Sequence, residues 1–166
     1  MKPMAAYLID TSYLLELYAV PGKSTPESIT EIRKRLLSAA KSGSSLYVTV
    51  PSIYELAKHI VRIPDGNQRR RYAVRLKNNV LSSLDDGSPW TIIPSQQLDA
   101  LGQLVSSFVE NFIHDGIDLA DGTLIDEARR LRQERYKGSG WRVHIWTKDG
   151  RLKAEEPDRE RNAYLG

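Results

Sequence analysis

The side chains in this chain that could do chemistry together are four acids. Asp10 follows directly on the apolar run Ala5-Ala6-Tyr7-Leu8-Ile9, and Glu55 sits one turn into the helical pattern that Pro51-Ser52 begins. Asp121 comes three residues after Asp118 at another helix start, and Asp149 closes Trp146-Thr147-Lys148-Asp149. Each has a local explanation: Asp10 suits a helix N-cap, Asp118 and Asp121 suit an N-cap and acidic third residue with Asp121 taken alone reading as a cap, Thr147-Lys148-Asp149-Gly150 suits a turn, and Glu55 suits a solvated helix face. Together they share a placement. Two lie just past a strand and two in the first turn of a helix, which in an open parallel sheet is the end where ligands bind. Carboxylates brought to roughly 5 Å would repel by about 3 kcal/mol per pair at an effective dielectric near 20, so a cluster needs a cation or raised pKa values. The chain has no cysteine, and His59, His114 and His144 are not at ligand spacing, so any metal must be held by oxygen. Oxygen donors with water filling the remaining positions point to Mg²⁺ or Mn²⁺.

The elements that would carry these acids alternate between strand and helix. Tyr7–Ile9 reads as a buried strand and Tyr13–Tyr18 as the helix after it. Pro26 opens a helix running to about Lys41, with Ile29, Ile32, Leu36, Leu37 and Ala40 on the face expected to be buried. Leu46–Val50 reads as the second strand and Ile53–Val61 as the helix bearing Glu55. Pro64-Asp65-Gly66-Asn67 marks a turn before the basic stretch, after which Val74, Leu76, Val80, Leu81 and Leu84 predict another helix. Trp90–Pro94 is a short strand. Leu98–Phe112 is a helix with Leu98, Leu101, Leu104, Val105, Phe108 and Phe112 on one side, and a further helix runs from Asp118 to about Tyr136. Trp141–Trp146 is a fourth strand, and the mostly charged Arg151–Gly166 reads as a short helix or a loose tail. The alternation predicts an α/β domain with a mainly parallel sheet.

With 166 residues, 40% of them hydrophobic, the chain has material for one ordinary core. The expected division is a single domain over residues 1–152 and a charged tail over 153–166. Asp10 interrupts the first apolar stretch too early for a signal peptide or an 18-residue membrane span, so a soluble, cytoplasmic protein is expected. A net charge of +3 permits nucleic-acid binding without requiring it.

Five segments in order resemble the PIN-domain ribonucleases, in particular the VapC-type toxins of toxin–antitoxin pairs. They are Tyr7-Leu8-Ile9-Asp10-Thr11-Ser12, Val50-Pro51-Ser52-Ile53-Tyr54-Glu55-Leu56-Ala57, Ile93-Pro94, Gly116-Ile117-Asp118-Leu119-Ala120-Asp121 and Ile145-Trp146-Thr147-Lys148-Asp149. The resemblance spans about Tyr7–Leu152. It implies a three-layer α/β/α, PIN-like domain around a mainly parallel sheet of four to five strands. It further implies that Asp10, Glu55, Asp121 and Asp149 bind one or two divalent ions and are catalytic, with Thr11, Ser12, Asp118 and Thr147 supporting them. Two departures stand out: Arg62–Ser88 is longer than in compact members, and the tail lacks an apolar fifth strand.

The implied activity is Mg²⁺- or Mn²⁺-dependent hydrolysis of RNA phosphodiester bonds, with Arg69, Arg70, Arg71, Arg75 and Lys77 as candidate phosphate contacts. The same five basic residues would equally suit the solvated face of a helix. The implied partners are an RNA substrate, an antitoxin protein and a second copy of the chain. The alternatives are a PIN-like scaffold whose acids are structural, and a DNA nuclease of the same fold.

Overall fold

Met4–Ile9 forms β1, the strand from which the molecule is built outward. The structure, a computed structural model, describes residues 3–94 and 98–166. β1 pairs in parallel with β2 (Ser45–Thr49) on one side and with β4 (Trp141–Trp146) on the other, while β3 (Thr91–Ile93) pairs in parallel with β2. The order β3-β2-β1-β4 gives a four-stranded, wholly parallel sheet. β1 is one of its two inner strands and is apolar on both faces. Ala6 and Leu8 belong to one core and Ile9 to the other, with Tyr7 packed against the second. Leu8 and Ile9 are fully buried, each contributing roughly 1.5–3 kcal/mol.

Helices cover both faces. On one lie α1 (Thr11–Leu17), α2 (Pro26–Lys41), α3 (Val50–Val61) and α4 (Gly66–Asp86), around a core containing Tyr13, Leu14, Ile32, Leu56 and Trp146. On the other lie α5 (Leu98–Ser107), α6 (Leu119–Glu134) and α7 (Gly150–Lys153), around a core that includes Phe112, Leu124, Ile125, Ile145 and Leu152. The result is a three-layer α/β/α fold, with the parallel sheet that the alternation of elements predicts and the three layers that the resemblance implies. Among the described residues no helix is long and apolar enough to cross a membrane.

Several boundaries and faces differ from expectation. Val50 opens α3 instead of ending β2, because Pro51 in the first turn has no N–H to lose to the helix. α2 buries Ser28, Ile32 and Ala39, whereas Leu37 is 62% exposed and Ala40 is also outside. α4 begins far earlier than Val74, since Asp65 caps it by accepting from the Gln68 N–H, and it runs for 21 residues. It packs through Tyr72, Leu76, Asn79 and Ser83, with the Tyr72 hydroxyl donating to Ala19 O and Asn79 donating to the Tyr18 hydroxyl. Val74, Leu81 and Leu84 consequently face outward.

The predicted helix Leu98–Phe112 is α5 followed by a π-helical turn, Phe108–Phe112. Leu104 and Phe112 pack inward, whereas Leu98 is 87% exposed and Leu101 and Val105 share its outer side. Gly122 permits this packing, because a Cβ there would lie 3.3 Å from Leu104 and 3.4 Å from Phe112.

The C-terminal segment is docked along the free edge of β4 and is not loose. The Asp158 carboxylate accepts from Val143 N at 2.8 Å, the Glu156 carboxylate accepts from Ile145 N at 3.0 Å, and Asp158 N donates to Val143 O. Lys153 Nζ donates to Ile145 O, and the Tyr13 hydroxyl donates to Tyr164 O. Side-chain carboxylates thus satisfy edge groups that a fifth strand would otherwise pair.

Candidate active site

β1 and β4 end side by side, with Ile9 opposite Trp146, so the next residues, Asp10 and Thr147, emerge together. Asp10 N donates to Trp146 O at 2.9 Å, which holds the two strand ends in step. The Asp10 side chain is 8% exposed and caps α1. Its Oδ2 accepts from the Ser12 hydroxyl and the Thr147 hydroxyl, both at 2.8 Å, and from Ser12 N at 3.4 Å. Burial pushes the Asp10 pKa up, while these donors pull it back. All three of these bonds fall on Oδ2, so Oδ1 stands outside them.

Thr147 and Ser12 link Asp10 to Asp149. Asp149 N donates to Thr147 Oγ1 at 3.0 Å, Lys148 N donates to Ser12 Oγ at 2.9 Å, and the two hydroxyl oxygens lie 3.3 Å apart. Asp149 caps α7 by accepting from Arg151 N at 2.8 Å and Leu152 N at 3.4 Å, and its side chain is partly exposed. Glu55 reaches the same end of the sheet from α3, where its Oε2 accepts from the Thr11 hydroxyl at 2.8 Å. On α6, Asp118 is the N-cap and accepts from Asp121 N at 2.8 Å. The capping role expected for one acid of that pair thus falls to Asp118, leaving the Asp121 carboxylate to the site.

Electrostatics tie the acids together. Burial first, and then the charges of Asp10, Asp118, Glu55 and Asp149, push the Asp121 pKa up from 3.8 to about 7. A half-buried carboxyl so perturbed is the kind of group found at functional sites, since its charged form is partly stripped of water and faces other carboxylates. Among the described residues no three of the His, Asp and Glu side chains are drawn into a metal-holding group. A hard divalent ion needs only one or two protein carboxylates, with water completing its shell. The all-oxygen ligand set, the Oδ1 of Asp10 outside the Ser12 and Thr147 bonds, and the mutual repulsion felt at Asp121 fit such an ion.

The basic candidates lie elsewhere. Arg75 donates to Leu17 O at 2.9 Å and Tyr18 O at 3.2 Å, with its guanidinium 4.3 Å from the Tyr18 ring centre. It closes the C-terminal end of α1, roughly 10 Å from the Asp10 end, so its donors are committed to the fold. Arg69 reaches Pro64 O at 3.5 Å, and Arg70, Arg71 and Lys77 are exposed on α4. The histidines are outside the acidic cluster's hydrogen bonds: His144 is buried with Nδ1 2.7 Å from Asp158 O, His59 has a buried Nδ1 without a partner among the described residues, and His114 is exposed.

Two further residues beside the site, Glu16 and Lys148, stand outside the set that the sequence points to. Glu16, on α1, is fully buried, accepting from Lys148 Nζ at 2.6 Å and from Thr25 N at 3.1 Å. This pair pins Lys148 between Thr147 and Asp149. The one signal in the sequence is a charge inside the run Tyr13-Leu14-Leu15-Glu16-Leu17, at a position where a helix against the sheet has no solvent.

Fold and site together define a parallel α/β/α domain with a cluster of acids beyond the carboxyl ends of its strands. No protein-family model matches the chain, and no curated protein matches it in sequence.

Proposed function

We propose that the protein is a metal-dependent endoribonuclease of the PIN-domain, VapC-like type, acting as the toxin of a toxin–antitoxin pair. The observation that carries the reading is the placing of Asp10, Glu55, Asp121 and Asp149 at one end of the sheet, where burial first and then the charges of Asp10, Asp118, Glu55 and Asp149 bring the Asp121 pKa to about 7. Phosphodiester hydrolysis needs a positioned water, charge neutralisation at phosphorus and a proton for the leaving oxygen. A bound Mg²⁺ or Mn²⁺ supplies the neutralisation and lowers the pKa of a water. Asp10 and Asp121 would hold the ion, with Glu55 and Asp149 completing its surroundings.

The chain's own residues do the rest. Ser12 and Thr147 lock Asp10 into one rotamer, and Thr11 does the same for Glu55. In the metal-free protein Asp121 is poised between its protonated and ionised forms near neutrality, and binding the ion would displace that proton and leave an ionised ligand. Arg69, Arg70, Arg71 and Lys77, exposed on α4, are candidate contacts for phosphates away from the scissile bond, whereas Arg75 serves the fold. The outer stripe of α5 and the π-helical turn after it, with Leu98, Leu101, Val105 and Val109 exposed, supports a second copy or an antitoxin covering that side.

The test offers RNA and single-stranded DNA of one sequence side by side, with and without Mg²⁺, to the wild type and to Asp10→Asn. The reading expects metal-dependent cleavage of RNA by the wild type alone. Preferential cutting of DNA would make it a DNA nuclease. An intact RNA panel with unimpaired metal binding would leave the scaffold as the reading.

A further inference from the structure

Away from the acids, a cleft of about 790 Å³ opens on the α2 side of the sheet. Its floor is the start of β1 and the length of β4, one wall is the second half of α2, and the other is the C-terminal segment. The segment's side chains explain its character. Glu156 and Asp158 turn inward to the β4 backbone, and Glu160 accepts from Trp146 Nε1 and Lys153 Nζ. Arg159 and Arg161, interleaved with these acids, stay exposed and line the cleft together with Arg35 and Arg142. Arg142 is steadied by Trp141 O at 2.7 Å and Ser139 O at 3.2 Å, and Arg35 is neutralised by Glu31 and Glu160. Among the described residues no carboxylate pairs with Arg142, Arg159 or Arg161. The cleft therefore carries a net positive charge, on arginines that the acidic side of the same segment holds in place.

The geometry points to this cleft as an exosite for the phosphate backbone of a single-stranded RNA whose scissile bond lies in the acidic cluster; the inference rests on the nuclease reading above. Guanidinium groups bind phosphates in a fork geometry, and phosphate contacts position a strand without reading its bases. Continuity favours a nucleic acid over an acidic peptide. Trp146 lines the cleft, and the next residue, Thr147, donates to Asp10. The surface route follows the exposed tail, from Arg161 and Asn162 in the cleft to Gly166, which lies against Lys148 between Thr147 and Asp149. Beneath it, β1 spans roughly 20 Å from Met4 to Asp10. A strand of RNA can span that length, which an isolated phosphate cannot. The acidic tail segment thus does two things: it closes the β4 edge, and it presents arginines to a polyanion.

The test compares two RNAs with one shared cleavage site, a short one covering only that site and a long one extended on both sides. Both are cleaved in Mg²⁺ by the wild type and by Arg159→Ala/Arg161→Ala. Because both arginines are exposed, the variant is expected to fold, and circular dichroism verifies it. For the long RNA, KM should rise about tenfold in the variant and the salt slope of log K should flatten by about 1.4, or 0.7 for each lost contact to a single strand. The short RNA, which cannot reach the cleft, is the internal reference. Equal KM and equal salt slope for the long RNA in both proteins would overturn the exosite while leaving the nuclease reading intact. Failure of the wild type to cleave either RNA would overturn both. Loss of polyglutamate binding in the variant, with long-RNA cleavage unaltered, would reassign the cleft to an acidic protein.

Discussion

Metal binding and acid stability should respond to pH in opposite directions, and both responses trace to Asp121. Its pKa is about 7, so below neutrality a metal ion must displace a proton to use this carboxylate. Between about pH 7.5 and about pH 5.5 the ionised fraction falls roughly 25-fold, equivalent to about 2 kcal/mol of apparent metal affinity. Isothermal titration with Mn²⁺ at the two pH values measures this directly. The metal-free protein should behave the other way. A carboxyl whose folded pKa is raised favours the folded state most below its unfolded value of 3.8, and that contribution is lost as pH rises through about 7. Because Asp121 is only half-buried, solvent screening reduces the effect to on the order of 1–2 kcal/mol. Asp10, also pushed upward by burial, acts with the same sign. Thermal melts without metal should therefore show Tm rising on mild acidification, and Asp121→Asn should flatten both the melt and the titration profiles. Metal affinity that does not change between the two pH values, or an unchanged pH profile in Asp121→Asn, would refute the reasoning.

Other perturbations separate the site from its supports. Thr147→Val removes the donor to Asp10 and the acceptor for Asp149 N, and should cost about 1–3 kcal/mol in urea unfolding while weakening metal binding. Glu16→Ala leaves Lys148 without its partner and Thr25 N without an acceptor; because Lys148 retains some solvent, the expected loss is about 2–3 kcal/mol, read from the denaturation midpoint. Deleting residues 155–166 frees the edge N–H groups of Val143 and Ile145, and should lower Tm and produce self-association detectable by light scattering.

The four acids were legible because strand ends and helix starts are local features. Asp10 after Ile9 and Asp121 after Asp118 announce their places by type and spacing, and the register of β1 against β4 then brings Asp10 beside Thr147. What escaped was set by tertiary contact. The first turns of α4 carry Gly66, Asn67 and a run of arginines, which read as a turn and a basic stretch. They are helical because Asp65 caps them and Tyr72 anchors to Ala19. The tail carries no apolar alternation because it protects β4 with carboxylates, so nothing in its pattern resembles a strand. Glu16 hides in a helix of apolar residues, and its partner Lys148 lies 132 positions away. The inner and outer sides of Leu98–Phe112 are both apolar, so periodicity alone could not choose between them.

On the proposed reading these carboxylates share a divalent cation, and anomalous diffraction from crystals of the protein soaked in Mn²⁺ would locate it. A peak is expected between Asp10 and Asp121, with ligand distances of about 2.0–2.2 Å, lost in Asp10→Asn. Saturating Mn²⁺ that leaves this place without a peak, or binds only at other surface acids, would contradict it.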